Sequence, residues 1–131
     1  MSETITLLAF YPRLGDAMSA VAIAKDVFGQ RGTGPDQRTP ASGPLLPLDE
    51  AAGRQHAARV EQVGALAPGV VRYTGDVLFR DLWLRPALAP RDRSLVTVSA
   101  LIASGQVAQS PSHLNRAMDN GLTRAHASEI P

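Results

Sequence analysis

The sequence predicts an all-α protein. Three observations carry that reading: apolar residues recur at helical spacing along the long segments, proline and glycine mark where those segments begin and end, and no stretch of strict apolar/polar alternation is left to form a strand. Val96, Thr97 and Val98 are β-branched, yet the helical spacing continues on both sides of them, which favours helix. With 131 residues and 44% hydrophobic content, the chain has the size of one domain and can bury about two-thirds of its unfolded surface. The expected division within that single domain, 1–131, is an opening part over residues 2–30, a connector over 31–48, and a larger part over 49–130.

Each element has a local reason. Ser2-Glu3-Thr4-Ile5-Thr6-Leu7-Leu8-Ala9-Phe10-Tyr11 enters an apolar run almost at once and is halted by Pro12 and Gly15. Asp16 then caps a second helix from Ala17 to Gln30, with Val21, Ala24, Val27 and Phe28 on one face. From Arg31 to Leu48, Gly32, Gly34, Pro35, Pro40, Gly43, Pro44 and Pro47 leave no periodicity, so this is the connector. Asp49 caps a polar helix, Glu50 to Val63, that carries Arg54, His56, Arg59 and Glu61. Pro68 suits a first helical turn, and the stretch to Trp83 turns Val70, Val71, Val77, Leu78 and Leu82 inward before Pro86 ends it. Pro90 opens the most apolar helix, with Leu95, Val98, Leu101 and Ile102 on its inner face and Gly105 as its stop; this is the expected centre of the core. Ser110-Pro111 and Asn120-Gly121 bracket a further helix bearing His113, Leu114, Arg116, Ala117 and Met118.

The final stretch, Thr123-Arg124-Ala125-His126-Ala127-Ser128-Glu129, opens with Thr123 as an N-cap and has a start without a finish. The first segment has a finish with little start, and Ser2-Glu3 and Ser128-Glu129 repeat at the two edges. This is the pattern of one helix divided by circular permutation, which requires neighbouring termini. The expectation is that residues 1 and 131 lie close together, so that the opening segment completes the wall facing His113.

Composition narrows the function. A net charge of +1 from 13 basic and 12 acidic residues, with no basic block and few aromatics, argues against a nucleic-acid partner. The absence of cysteine excludes disulfides, thiolate metal sites and protein-thiol redox cycles. Three histidines without a paired spacing give no metal signature. No secretion signal and no membrane-spanning apolar run is found, which leads to the expectation of a soluble cytoplasmic protein without a membrane partner.

Four blocks carry a resemblance: Leu82-Trp83-Leu84-Arg85-Pro86, Leu88 to Thr97, His113-Leu114-Asn115-Arg116-Ala117, and Asn120-Gly121-Leu122-Thr123. Together they resemble the carboxymuconolactone decarboxylase family. The next block of that family, read as Leu-Thr-His-Leu-Ala-Phe-Tyr-Ala-Gly-Trp-Pro-Asn-Ala, is similar to Ile5 to Tyr11 and Asp16-Ala17, so the order here is rotated. The resemblance implies an AhpD-like helical bundle, permuted in order, that assembles into a homo-oligomer, a trimer or hexamer, with its site near the histidine. The AhpD-like alkylhydroperoxidases carry two cysteines where this chain has Gln106 and Gln109, and a carboxylate near Ser94. Thiol peroxidase chemistry is thereby removed, and the decarboxylase branch remains.

That branch implies a small-molecule substrate, an unsaturated carboxylic acid or lactone, and a lyase reaction without cofactor, because the conjugated carbonyl of the substrate is itself the electron sink. The pocket needs a proton donor, a cationic clamp and a dry wall. His113 is the candidate proton donor, since an imidazole titrates at about 6.5. Arg93 and Arg85 are candidate clamps, as a guanidinium grips a carboxylate through two hydrogen bonds. Gln106 and Gln109 are candidates for orienting the carbonyl, and Tyr11 and Trp83 for lining the pocket. Two departures stand out: Leu7 replaces a histidine of the family block, and Pro12-Arg13-Leu14-Gly15-Asp16 replaces its turn, making Arg13 a candidate anion contact. The departures keep two alternatives open. One is isomerisation, cyclisation or another tailoring step on a larger natural product; the other is a catalytically silent helical oligomer.

Overall fold

The computed structural model describes residues 2–34, 43–48 and 50–129, and among them every regular element is helical. In chain order these are α1 (Ser2–Phe10), α2 (Leu14–Gln30), α3 (Glu50–Val63), α4 (Pro68–Tyr73), a π-type turn over Thr74–Phe79, a 3₁₀ turn over Leu82–Leu84, α5 (Pro90–Ala103), α6 (Ser110–Asp119) and α7 (Arg124–Ser128). The Asp49 cap, part of the connector (35–42) and the expected meeting of residues 1 and 131 lie outside the described residues. No described helix is long and apolar enough to cross a membrane. The chain forms two compact units, one from residues 1–41 and 87–131, the other from 42–86.

In the first unit α1 packs against α2 and α5, and α5 packs against α6. Pro90 sits in the first turn of α5, where its missing N–H is no loss. Gly105 ends that helix at φ 69°, a conformation costly for other residues, and Gln106 N–H closes it on Leu101 O at 2.9 Å. Gly121 does the same after α6 at φ 93°, with Leu122 N–H on Ala117 O at 2.8 Å. Val98, Ala117 and Leu122 form a core that Leu95, Leu114 and Ala127 extend, and Asn120 Nδ2 donates to Ser94 Oγ at 2.9 Å to tie the end of α6 to α5. Thr123 caps α7 as expected, accepting from His126 N–H, while His126 Nδ1 accepts from Thr123 N–H in a reciprocal box.

Several local expectations are corrected. The second helix begins at Leu14, not Ala17, with extended Arg13 as its N-cap, and Asp16 lies in the first turn instead of capping it. A carboxylate there favours the positive end of the helix dipole without a capping bond. α2 is also less covered than its spacing suggests: Val21 is 46% exposed, and Met18 and Ile23 more so. α6 starts one residue early, at Ser110, because the Ser110 hydroxyl donates back to Gln106 O at 3.1 Å and does not receive a helix N–H. Ile102, placed inward by spacing, is 47% exposed.

In the second unit the expected continuous helix from Pro68 to Trp83 divides into α4, the π-type turn and the 3₁₀ turn. Gly75 lies at that division, and a Cβ on it would lie 2.6 Å from His56 Nε2, so a side chain there would require the imidazole to move. The turn widens around Gly75, with Arg80 N–H reaching Gly75 O at 3.1 Å. Leu78 and Leu82 are buried as expected, but Val70 and Val77 face outward. His56, Phe79 and Trp83 form a row of ring contacts with centroid separations of 5.9 and 6.5 Å. Arg85 binds Asp81 through two parallel hydrogen bonds, Nε to Oδ1 at 2.9 Å and NH2 to Oδ2 at 2.6 Å.

The most constrained contact of the first unit joins α1 to α5. Arg93 is 1% exposed and its NH2 lies 3.8 Å from Glu3 Oε2, itself buried. The same guanidinium donates to Leu88 O at 2.7 Å. Burial pushes the Arg93 pKa down from its ordinary value, and the Glu3 carboxylate opposes that shift. Removing one member of a buried pair is strongly destabilising, whereas replacing both by apolar groups is not. Glu3→Ala is therefore expected to lower unfolding stability in urea by about 3 kcal/mol or more, and Glu3→Leu combined with Arg93→Met by clearly less. A Glu3→Ala loss within about 0.5 kcal/mol, the range of ordinary surface changes, would show that the pair is dispensable.

A second expectation concerns pH. The Arg85 hydrogen bonds hold the Asp81 carboxyl below the usual aspartate range, against a smaller opposing effect of burial. A carboxylate with a depressed folded pKa contributes stability above its unfolded value of about 3.9 and loses it as pH falls through the folded value. Carboxyl carbon shifts followed by NMR should therefore show Asp81 titrating below that value, and Arg85→Ala should bring its midpoint back up. An Asp81 midpoint at or above the ordinary value contradicts this.

Candidate functional site

The site is built where three elements of the first unit meet. His113 lies in the first turn of α6, its N–H directed to Gln109 O at 3.4 Å. Tyr11 comes just after the end of α1, where its N–H closes on Leu7 O at 3.1 Å. The two rings meet edge to face, with centroids 5.1 Å apart and planes at 87°, a favoured geometry for aromatic rings. Both residues are half-buried. Leu7, one turn before Tyr11, is 1% exposed and belongs to the core.

Directly after Tyr11 the chain enters the wall of a cleft of about 460 Å³ lined by Leu8, Pro12, Arg13, Asp16, Ala100, Ala103 and Ser104. The turn between α1 and α2 supplies one side and the last turns of α5 the other. Arg13 and Asp16 are exposed to solvent, while Ala100 is buried at the floor. Ser104 Oγ donates to Ala100 O at 2.7 Å. Apolar and small side chains thus surround one cation, one carboxylate and one hydroxyl.

The other sequence candidates are distributed differently. Arg93 does not line this cleft; it is held in the interior by Glu3 and the Leu88 carbonyl. Gln106 and Gln109 lie exposed in the turn between α5 and α6. There their backbone carbonyls receive Ser110 Oγ at 3.1 Å and Ser112 Oγ at 3.0 Å respectively. Arg85 and Trp83 belong to the second unit, Arg85 paired with Asp81 and Trp83 buried beside Phe79. Among the described residues no group of three or more histidine, cysteine, aspartate or glutamate side chains is arranged to hold a metal ion.

Sequence reasoning missed Glu3 and Asp16 as members of this neighbourhood. Glu3 carried a usable signal, the lone charge of its helix, placed four residues before Leu7 on the same face. Asp16 has the residue type of a cap, and nothing local distinguishes a cap from a cleft residue. Leu8, Ala100, Ala103 and Ser104 have no signal of their own, because the cleft exists only once α1 and α5 are packed.

Two comparisons with known proteins bear on this geometry. A stretch of 82 residues is 28% identical to 4-carboxymuconolactone decarboxylase of Acinetobacter baylyi (strain ATCC 33305 / BD413 / ADP1), covering 62% of this chain and 61% of that protein. The chain therefore matches less than two-thirds of the length of that relative. Residues 68–131 match the carboxymuconolactone decarboxylase family, a segment that holds His113, whereas Tyr11, Arg13 and Asp16 lie outside it.

Proposed function

We propose that the chain is a cofactor-independent acid–base enzyme of the carboxymuconolactone decarboxylase type, acting on an unsaturated carboxylic acid or lactone. The observation that carries this reading is the Tyr11–His113 contact, in which the histidine of the family-matched segment packs on the residue that precedes Pro12 of the cleft wall. His113 moves the proton, as an imidazole is half-charged close to neutral pH. Arg13 receives the carboxylate that stays, in the two-bond geometry of a guanidinium. Leu8, Pro12, Ala100 and Ala103 provide the apolar wall that strengthens these interactions. Gln106 and Gln109, exposed in the turn between α5 and α6 and outside the cleft lining, take no part in this reading. Arg93 is in this reading a positioning residue, since its charge is taken up by Glu3. Arg85 and Trp83 are left out of it, since Arg85 is committed to Asp81.

In the same reading α1 and α2 stand in for the helices that close the family's domain, in rotated order; the edge contact of Tyr11 with His113 supports this. Assembly into a homo-oligomer, a trimer or hexamer, is supported by the exposed apolar side chains of α2, among them Leu14 at 67% and Met18 at 62%. The protein works in the cytoplasm. A second reaction, isomerisation, cyclisation or another tailoring step in the same cleft, is favoured by one observation: Arg13 is the cation of the lining, with Asp16 opposing it.

Carbon dioxide release from carboxymuconolactone tests the lyase reading. His113→Ala is expected to slow it by about 10²- to 10⁴-fold, the usual size of a general acid–base contribution, with helix content unchanged by circular dichroism. A rate untouched by the substitution removes His113 from the mechanism.

A further inference from the structure

We infer that the cleft between the α1–α2 turn and the end of α5 takes an unsaturated acid that carries an apolar group beyond its double bond, with the carboxylate on Arg13 and the apolar group along the α5 side. This rests on the reading above that the cleft receives the unsaturated acid. The distribution of charge in the lining carries the inference. Both charged residues, Arg13 and Asp16, come from the turn and the start of α2, whereas the end of α5 contributes Ala100, Ala103 and Ser104, none of them charged. Leu8 and Pro12, both half-buried, complete the uncharged part.

Ala100 and Ala103 stand three residues apart, on one face of α5. Neither side chain extends past Cβ, so the space in front of that face is left to a ligand. Ser104, the polar residue of this side, donates to Ala100 O at 2.7 Å. A hydroxyl has one proton to give, so an apolar group laid across Ser104 strands no donor, which is the costly outcome for a polar group taken out of water. That side therefore accepts hydrocarbon.

At about 460 Å³, the cleft falls in the range of about 300–1,000 Å³ that holds drug-sized ligands. A small lactone with two carboxylates still enters, one acid on Arg13, and leaves part of that space unfilled. An added ring or alkyl group fills it and buries apolar surface against Leu8, Pro12, Ala100 and Ala103. Taking an apolar group the size of a phenyl ring out of water tightens binding by about tenfold or more. The preference concerns the far end of the substrate and leaves the acid–base step as it is.

The probes are crotonate, an unsaturated acid that ends in a methyl group, and cinnamate, its counterpart ending in a phenyl ring. Their dissociation constants are measured by NMR titration of the full chain with its alanine methyl groups labelled and assigned, and again on Arg13→Gln checked for unchanged helix content. Cinnamate is expected to bind more tightly by about tenfold or more and to shift the Ala100 and Ala103 methyl signals more than crotonate does, while Arg13→Gln weakens both acids. Equal binding of the two acids, or tighter binding of cinnamate that leaves both methyl signals unmoved, overturns the inference; crotonate binding that depends on Arg13 then leaves the carboxylate subsite standing. Binding of neither acid, or binding that Arg13→Gln does not weaken, overturns both.

Discussion

A guanidinium that is 1% exposed has to be met by a carboxylate, and in this protein that requirement fixes how the first unit is put together. Arg93 belongs to α5, the helix at the centre of the core, and the carboxylate that meets it belongs to Glu3 on α1. The Coulomb attraction at 3.8 Å offsets a desolvation cost that neither residue would bear alone. Because Glu3 and Leu7 fall on the same side of α1, one helical turn apart, the pair and the buried leucine seat that helix together. The register of α1 on α5 is thereby set, and with it the position of the chain beyond Phe10.

The candidate site depends on that register. Once α1 is seated, Tyr11 emerges against the imidazole of His113, and the next residues turn across the end of α5 to enclose the cleft. The Arg93 guanidinium pairs with Glu3 inside the unit, and the cation that lines the cleft is Arg13. The labour is divided along the chain. The family-matched stretch supplies the histidine and the floor at Ala100, Ala103 and Ser104, while the opening helices supply the aromatic partner and the charged lip. Leu7 sits in the core, where it contributes packing.

Elements with their own local signals are legible in the sequence. Thr123, Gly105 and Gly121 mark helix ends through capping bonds and positive φ, and these act within a few residues. Pro90 announces α5 for the same reason. The helically spaced valines after Pro68 predict one continuous helix, but spacing cannot report that the His56 ring occupies the space a Cβ at Gly75 would need. Residue type makes Asp16 a cap, yet it does not say that Arg13 already occupies that position. In the candidate site, the resemblance singles out the histidine, which lies in the family-matched segment. The burial of Arg93 cannot be read there, because it depends on a carboxylate at the far end of the chain.

The claim on which this account turns is that the seating of α1 brings Tyr11 onto His113, and proton NMR reads that contact directly. With the three imidazoles assigned, nuclear Overhauser cross-peaks are expected between the Tyr11 ring protons and those of His113, and they should weaken when Glu3 is replaced. Fully assigned rings with no cross-peak between them in the unaltered chain would contradict the account.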